Sequence, residues 1–349
     1  MLGWALLYKY LIAFVFKRKG FLAMLLIKND NTDPAFNLAC EEYLLCTVKE
    51  PTFTLWQNKR SIIVGKNQNT LNEIDLQYVK ENDISVIRRL TGGGAVFHDL
   101  GNINYTYIEP SQSGNFNNYS YFTNDLIDYL KTLNVNAELS GRNDLLIDGK
   151  KFCGNAQCIK NNNIMHHGCI LYSADLSTLT NALKVNPAKI QSKGIKSVSS
   201  RVTNVIDHMK NKLSAFDFLN GFESFVAQRH GYTPIYLSEA EKAEIQALAD
   251  SKYSSWDWNF GNSPDYNFKA CKKFDFGLIE IYLEIENGII TKAKIGGDFF
   301  GKKDIFIIEN EIIGKKHAIN ELTKALEKYK IDEYISGCSN ATLLTLLIN

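Results

Sequence analysis

The run Arg88-Arg89-Leu90-Thr91-Gly92-Gly93-Gly94-Ala95-Val96-Phe97-His98 constrains this chain more than any other segment. Three successive glycines are poorly placed inside a helix or strand, because ordering them costs more backbone entropy than ordering residues with side chains. SVIRRL precedes them and NINYTYIE follows, both rich in the β-branched and aromatic residues that suit pleated structure. The segment therefore predicts a strand, a glycine loop at the strand ends, and a returning strand. Such a loop admits a ligand close to the backbone and offers amides to phosphate oxygens, and Arg89 adds a planar fork for an anionic oxygen. The bland alternative is a tight turn. Neither GxxxxGK[ST] nor GxGxxG is present, so any phosphate is held by another geometry.

Around this loop the pattern mixes helix and strand. It begins with the apolar MLLIK, and DPAFNLACEEYLLCTVKE reads as a helix capped by Asp33, with Pro34 at its first position and Leu38 and Leu45 inward. TFTLWQ and SIIVGK predict an antiparallel hairpin across Asn58, Lys59 and Arg60, and a helix is expected from Leu71 to Glu81. Tyr119 to Leu133 is helical. DLLID, KKFCGNAQCIK and IMHHGCILYS predict three successive antiparallel strands turned at Asp148-Gly149 and Asn161-Asn162-Asn163. Asp175 caps DLSTLTNALKV, and helices are expected at 214–230 and 238–249, the second with the capping-box pair Ser238 and Glu241. Beyond about residue 270, FGLIEIYLEIENGIITKAKI alternates as a hairpin about Asn287-Gly288, and INELTKALEKYK is an amphipathic helix. A large domain over 24–265 and a smaller one over 270–349 fit the length of 349 residues.

The formal net charge is +1, which gives no broad basic footprint for nucleic acid. Seven cysteines, an odd number without CxxC spacing, read as reduced thiols. Cys153, Cys158 and Cys169 lie near His166 and His167, but without the short ligand spacing of a structural zinc site. Residues 1–23 stand apart: Leu2 to Phe16 is largely apolar, and Lys17, Arg18 and Lys19 follow. That run is short against the roughly 20 apolar residues of a membrane span, and its charge order is reversed from a secretory signal. An upstream start that adds little is the favoured reading. A membrane-surface anchor and a terminal helix packed on the domain are the alternatives.

Two further segments can carry chemistry. In GRNDLLIDGKKFCGNAQ, Lys151 precedes a small-residue strand from which it can enter a pocket, or it belongs to a solvated turn; Asp144 is a Mg²⁺ ligand or a turn residue. His166 and His167 on a strand read first as packed residues. The long, basic, serine-rich stretch NPAKIQSKGIKSVSSRVTN has the length of a functional or disordered loop.

Taken together, DPAFNLACEE, RRLTGGGAVFHDLGNINYTYI, GRNDLLIDGKKFCGNAQ, HHGCILYSADL, KGIKSVSSRVTNV and SSWDWNFG resemble the lipoate–protein ligase family, in order from Met24 to about 265, and IGGDFFG resembles part of its accessory domain. The resemblance implies an α+β fold: a mixed, mainly antiparallel sheet flanked by helices, related to biotin ligases and class II aminoacyl-tRNA synthetases, with a small α+β C-terminal domain. It implies an ATP-dependent enzyme, with Mg²⁺, that makes lipoyl-AMP and transfers the lipoyl group to a lysine. The acceptor would be a lipoyl domain of a 2-oxoacid dehydrogenase E2 subunit or the glycine-cleavage carrier protein, in the cytoplasm. It places Arg89, Thr91, Gly93, Gly94, Ala95, Val96, Phe97, His98 and the catalytic Lys151 on the nucleotide and acyl-adenylate. Asn102, Gly154 and His167 belong around them, Asn143 and Asp144 organise phosphate and Mg²⁺, and Lys193, Lys196 and Arg201 belong to an adenylate-binding loop. Cys153 departs from the commoner serine before Gly154.

Lipoate's carboxylate is ionised at neutral pH and attacks the α-phosphate without a strong base, so the site's task is positioning and charge neutralisation. Two competing readings are an ATP-independent octanoyl or lipoyl transferase using a cysteine thioester, and a noncatalytic lipoate- or nucleotide-binding protein. The cysteine of such transferases lies ahead of the pocket lysine, where this chain has LSGRNDLLID. A chain beginning at Met24 is expected to fold and ligate lipoate as well as the full one, with fractionation run beside the assay. Loss of folding would show that residues 1–23 are integral to the domain.

Overall fold

The structure is a computed structural model that describes residues 24–183, 201–232, 234–260 and 267–348; residues 1–23, most of the 193–205 loop and the predicted boundary at 265 lie outside them. β1 (Leu25–Lys28) leads into α1 (Pro34–Thr47), where Asp33 Oδ1 accepts from the amides of Ala35 at 3.0 Å and Phe36 at 3.2 Å. Pro34 has no N–H to satisfy at that end.

β2 (Thr52–Trp56) and β3 (Ser61–Val64) follow, but the predicted hairpin does not form: the two strands enter different sheets. Asn58 explains the divergence. It is fully buried, its Oδ1 accepting from Asn37 Nδ2 and its Nδ2 donating to His98, so the connection is pinned through the core instead of turning at the surface. The expected helix from Leu71 to Glu81 is broken into Thr70–Glu73 and Leu76–Glu81, because Asp75 caps the second piece through the Tyr78 amide at 2.9 Å. Ile74 meanwhile bridges Leu183.

β4 (Ser85–Arg88), β5 (Val96–His98) and β6 (Asn102–Pro110) correct a second expectation. NINYTYIE does not return onto SVIRRL. β4 and β5 flank β3 in a three-stranded sheet, whereas β6 runs down the middle of a larger one, so the glycine loop and the turn after His98 join two sheets. Part of TGGGAVFHDLG is itself strand.

α2 (Tyr119–Thr132), β8 (Asp144–Ile147), β9 (Lys150–Lys160) and β10 (Asn163–Leu171) follow expectation, and β7 (Glu138–Ser140) is a further strand, not predicted, that pairs with β8. Both β-turns have consecutive left-handed residues, Asp148 (φ 49°) with Gly149 (φ 73°) and Asn161 (φ 48°) with Asn162 (φ 61°), which matches hairpin twist. α3 (Ala215–His230), β11 (Pro234–Tyr236) and α4 (Glu239–Leu248) come next, α4 carries the predicted capping box, and a short helix over Trp256–Asn259 closes this part. The large sheet has the order β11-β1-β2-β6-β10-β9-β8-β7, with β1 parallel to both neighbours and the remaining pairs antiparallel.

Alternation along β6 divides the interior. Ile103, Tyr105 and Tyr107 face a core closed by Phe122 and Leu126 of α2 and Phe218 and Phe222 of α3. Asn104, Thr106 and Ile108 face the other way, toward α1, and that is the side on which the site lies. β12 (Phe268–Phe274), β13 (Gly277–Glu286) and β14 (Ile289–Gly297) form an antiparallel sheet with its own core of Ile279, Ile281, Leu283, Ile308 and Leu322. It meets the first part where the Gly297 amide donates to Asn67 O at 2.9 Å and Lys66 pairs with Asp304. No helix among the described residues is long and apolar enough to cross a membrane.

His98 and His166 are buried without an adjacent carboxylate, and burial holds His98 down at about 3 and His166 well below the ordinary histidine value. Both take up a proton only on unfolding, so the stability they contribute is present above the unfolded value of about 6.5 and is lost as pH falls. Urea unfolding at pH 7.5 and pH 5.5 should show a loss of about 2–3 kcal/mol at the lower pH. Stability that holds level or rises there would contradict the buried neutral pair.

Candidate active site

One transverse row of residues forms the floor of a cleft. Asp144 opposes Gly154, Gly154 opposes Cys169, Cys169 opposes Asn104, and Asn104 opposes Trp56. Directly opposed residues share a face of the sheet. Above them lies a cavity of about 550 Å³, including space open to solvent, walled by Leu38, Ile63 and Val96, by the glycine loop, and by Phe300.

Lys151 enters this cleft because of an irregularity. In a regular strand a residue three positions before Gly154 would point to the opposite face. The register of β8 with β9 shifts between Leu145 and Leu146, so that Cys153 opposes Leu145 while Lys151 opposes Leu146. This bulge puts Lys151 on the face of Asp144 and sends Phe152 and Cys153 into the core. Lys151 Nζ lies 2.7 Å from Asp144 Oδ1, and Gly154 leaves it room, since a Cβ there would lie 2.9 Å from Nζ. The Lys151 amide donates to Arg201 O at 2.8 Å and its carbonyl accepts from Thr203 at 3.0 Å, which seats the end of the basic loop beside it. Lys193 and Lys196 lie outside the described residues. Asn143 Nδ2 donates to Asn155 O, fixing the opposite wall.

Two buried arginines shape the glycine loop. Arg89 donates through Nε to Thr91 Oγ1 at 3.0 Å, through Nη1 to Ile63 O at 3.0 Å, and through Nη2 to the carbonyls of Gly92 at 2.7 Å and Gly94 at 2.8 Å. The fork expected to hold an anionic oxygen thus spends these donors on the loop itself, and Gly93 takes the left-handed φ of 91° that the bend requires. Arg88 donates to the carbonyls of Gly65, Lys66, Gln68, Trp258 and Asn259 and to Thr70 Oγ1. Burial pushes both guanidiniums down to about 10.

A chain of polar groups leads from Arg89 to a buried carboxylate. Thr91 Oγ1 lies 2.8 Å from His167 Nε2, and His167 Nδ1 lies 2.9 Å from Glu41 Oε1. Thr91 accepts from Arg89, so its own proton goes to Nε2; the histidine proton then sits on Nδ1 and goes to Glu41. Glu41 also accepts from Thr106 at 2.6 Å, and Thr106 from Trp56 Nε1 at 3.0 Å. His167 thus links the loop to α1. Glu41, Thr106, Trp56, Asn104 and Phe300 escaped the sequence reading. The one legible signal was Glu41-Glu42, two carboxylates inside a helix whose neighbouring turns are apolar.

Val96 and His98 face the cleft, and strand alternation turns the Phe97 side chain into a core with Ile62, Val64 and Val86 instead. Ala95 packs at the edge of the same core. Asn102 Nδ2 donates to Cys169 Sγ while its Oδ1 accepts from the Asp99 amide, so it holds a turn beside the cleft. His166 is on the opposite face, stacked on Phe122 and bonded to Gln157. The described residues contain no group of three or more potential metal ligands, and Cys153 and Cys169 face opposite sides of the sheet. Burial pushes the Cys169 thiol up to about 12 and that of Cys153 well above its ordinary value.

The profile of the lipoyl protein ligase A/B catalytic domain matches residues 33–224, and that of the bacterial lipoate protein ligase C-terminus matches residues 263–347. Lipoate–protein ligase 1 of Staphylococcus aureus is 39% identical over 327 residues, covering 93% of this chain and 100% of the relative. LplJ of Bacillus subtilis, a lipoate–protein ligase, is 39% identical over 330 residues with the same coverage, 93% and 100%. Among solved structures, Plasmodium falciparum LipL1 in complex with lipoate superposes with a TM-score of 0.74 at 25% identity, covering 93% of this chain and 98% of that one. A lipoate–protein ligase A bound with ATP superposes with a TM-score of 0.58 at 26% identity, covering 69% of this chain and 99% of that one. Sequence over nearly its whole length and fold together show that this chain belongs to the lipoate–protein ligase family.

Proposed function

We propose that this chain activates lipoate with ATP to lipoyl-AMP and pyrophosphate, with Lys151 as the charge that stabilises the reacting oxygens, and passes the lipoyl group to a lysine of a lipoyl domain. The observation that carries the reading is the position of Lys151 Nζ, turned by the bulge to the end of an apolar cleft beside Asp144 and the glycine loop. The acid's carboxylate needs no base to attack the α-phosphate; what the reaction lacks in water is a fixed positive group where charge gathers on phosphorus-bound oxygens. Lys151 supplies it on a rigid strand. Asp144 is half-exposed and offers the hard oxygen donor that Mg²⁺ takes together with substrate phosphates and water. Held there, Mg²⁺ would neutralise part of the triphosphate charge. In the second step the acceptor amine attacks the mixed anhydride and AMP leaves.

The acceptor is a lipoyl domain of a 2-oxoacid dehydrogenase E2 subunit or the glycine-cleavage carrier, and the free described cysteines fit the reducing cytoplasm. Thioester transfer would need a thiolate at the cleft. Cys169 is the cysteine that lines it, and burial keeps that thiol protonated.

Incubation with lipoate, Mg-ATP and a lipoyl domain should release pyrophosphate and add one lipoyl mass to the acceptor. Lys151→Ala should slow single-turnover lipoyl-AMP formation by about 10²–10³-fold with the fold intact, and Cys169→Ser should retain ligation. A parent protein without ATP-dependent mass gain, or an acyl-thioester trapped on Cys169 during turnover, would overturn the reading.

A further inference from the structure

Two buried N–H groups in the cleft have no partner among the described residues: His98 Nε2 and Asn104 Nδ2. The residues are 3% and 2% exposed, and both line the cavity. The proton on His98 Nε2 follows from its surroundings. Asn58 Oδ1 already accepts from Asn37, so Asn58 Nδ2 is the donor to His98 Nδ1, and the neutral ring carries its hydrogen on the other nitrogen. Buried donors are almost always paired, so two orphans in one cleft point to a ligand that completes them.

Their place along the floor says which part of the ligand they meet. Lys151 stands over Gly154 and Asp144 at one end of the row, with Asn104 and Trp56 at the other, and the His98 ring packs edge-on to Trp56. Asn104 lies two strands from Gly154, roughly 10 Å at the usual strand spacing. An eight-carbon acyl chain, with seven bonds at roughly 1.2 Å each, spans about 8–9 Å when extended. A carboxylate held at Lys151 therefore delivers the last carbons of its chain to Asn104 and His98, past the apolar walls of Leu38, Ile63 and Val96.

We propose that Asn104 and His98 are specificity-determining residues that donate to the ring sulfurs of lipoate and so make the cleft select lipoate over octanoate. The proposal rests on the ligase reading above. Octanoate presents methylene and methyl groups at the same depth and leaves both donors unpaired; the dithiolane presents two sulfur acceptors. Sulfur accepts weakly, so the discrimination is modest, about tenfold in kcat/KM.

The test is pyrophosphate exchange with lipoate and octanoate, in the parent and in Asn104→Leu, which keeps similar bulk and removes the donor. The lipoate-to-octanoate ratio of kcat/KM should fall about tenfold in the variant, through a higher KM for lipoate, with a cooperative urea-unfolding transition as the sign of an intact fold. A second measurement needs no variant: the parent should bind lipoate about tenfold more tightly than its cyclopentyl analogue, in which both ring sulfurs are carbon. An unchanged ratio in a variant that still unfolds cooperatively, or equal affinity for lipoate and its carbocyclic analogue, overturns the assignment. Exchange with neither acid in the parent overturns the ligase reading instead.

Discussion

Two adjacent arginines buried at the end of one short strand hold the functional half of this molecule in shape. Irregular backbone that runs through an interior must have its carbonyls paired. Arg88 does this for the turn at Gly65–Gln68 and for Trp258 and Asn259, and Arg89 does it for the glycine loop. Glycines let the loop come close, and the guanidinium forks choose one conformation from the many that glycines allow. Among the described residues neither arginine pairs with a carboxylate, so each guanidinium is buried at a real electrostatic cost. Part of that cost is offset at a distance by Glu41 through Thr91 and His167.

Catalytic placement depends on a different device. β9 gives the adjacent Phe152 and Cys153 to one face and Lys151 and Gly154 to the other, and strict alternation forbids that. The bulge resolves the conflict by giving Phe152 and Cys153 to the core while Lys151 turns into the cleft. The Lys151 backbone then anchors Arg201 and Thr203, so the end of the basic loop is tied to the same residue whose ammonium group enters the cleft beside Asp144. A rigid strand, a glycine that leaves room and a loop seated on one backbone unit give the positioning that charge stabilisation requires.

Much of this was legible from local pattern. Helices announced by caps, such as Asp33-Pro34 and Ser238 with Glu241, and the hairpins at Asp148-Gly149, Asn161-Asn162 and Asn287-Gly288 occur where their turn chemistry puts them. What failed was pairing across distance. Ser61–Val64 reads as the partner of Thr52–Trp56 by proximity, but the buried Asn58 between them sends it to another sheet, and only the folded environment shows that Asn58 is buried. The site divided the same way. Lys151, Asp144 and the glycine loop lie together, whereas Arg89's donors go to carbonyls that no spacing could reveal, and Asn104 and Trp56 reach the cleft through strand register alone.

The central claim is that Arg89 builds the loop before any ligand arrives. Urea unfolding of Arg89→Met without ligand tests it most directly, because the substitution leaves the carbonyls of Ile63, Gly92 and Gly94 unpaired. The expected result is a loss of about 3 kcal/mol or more in the ligand-free protein. A variant as stable as the parent without ligand, but no longer stabilised by ATP and lipoate, would show that Arg89 acts on the ligand and not on the loop.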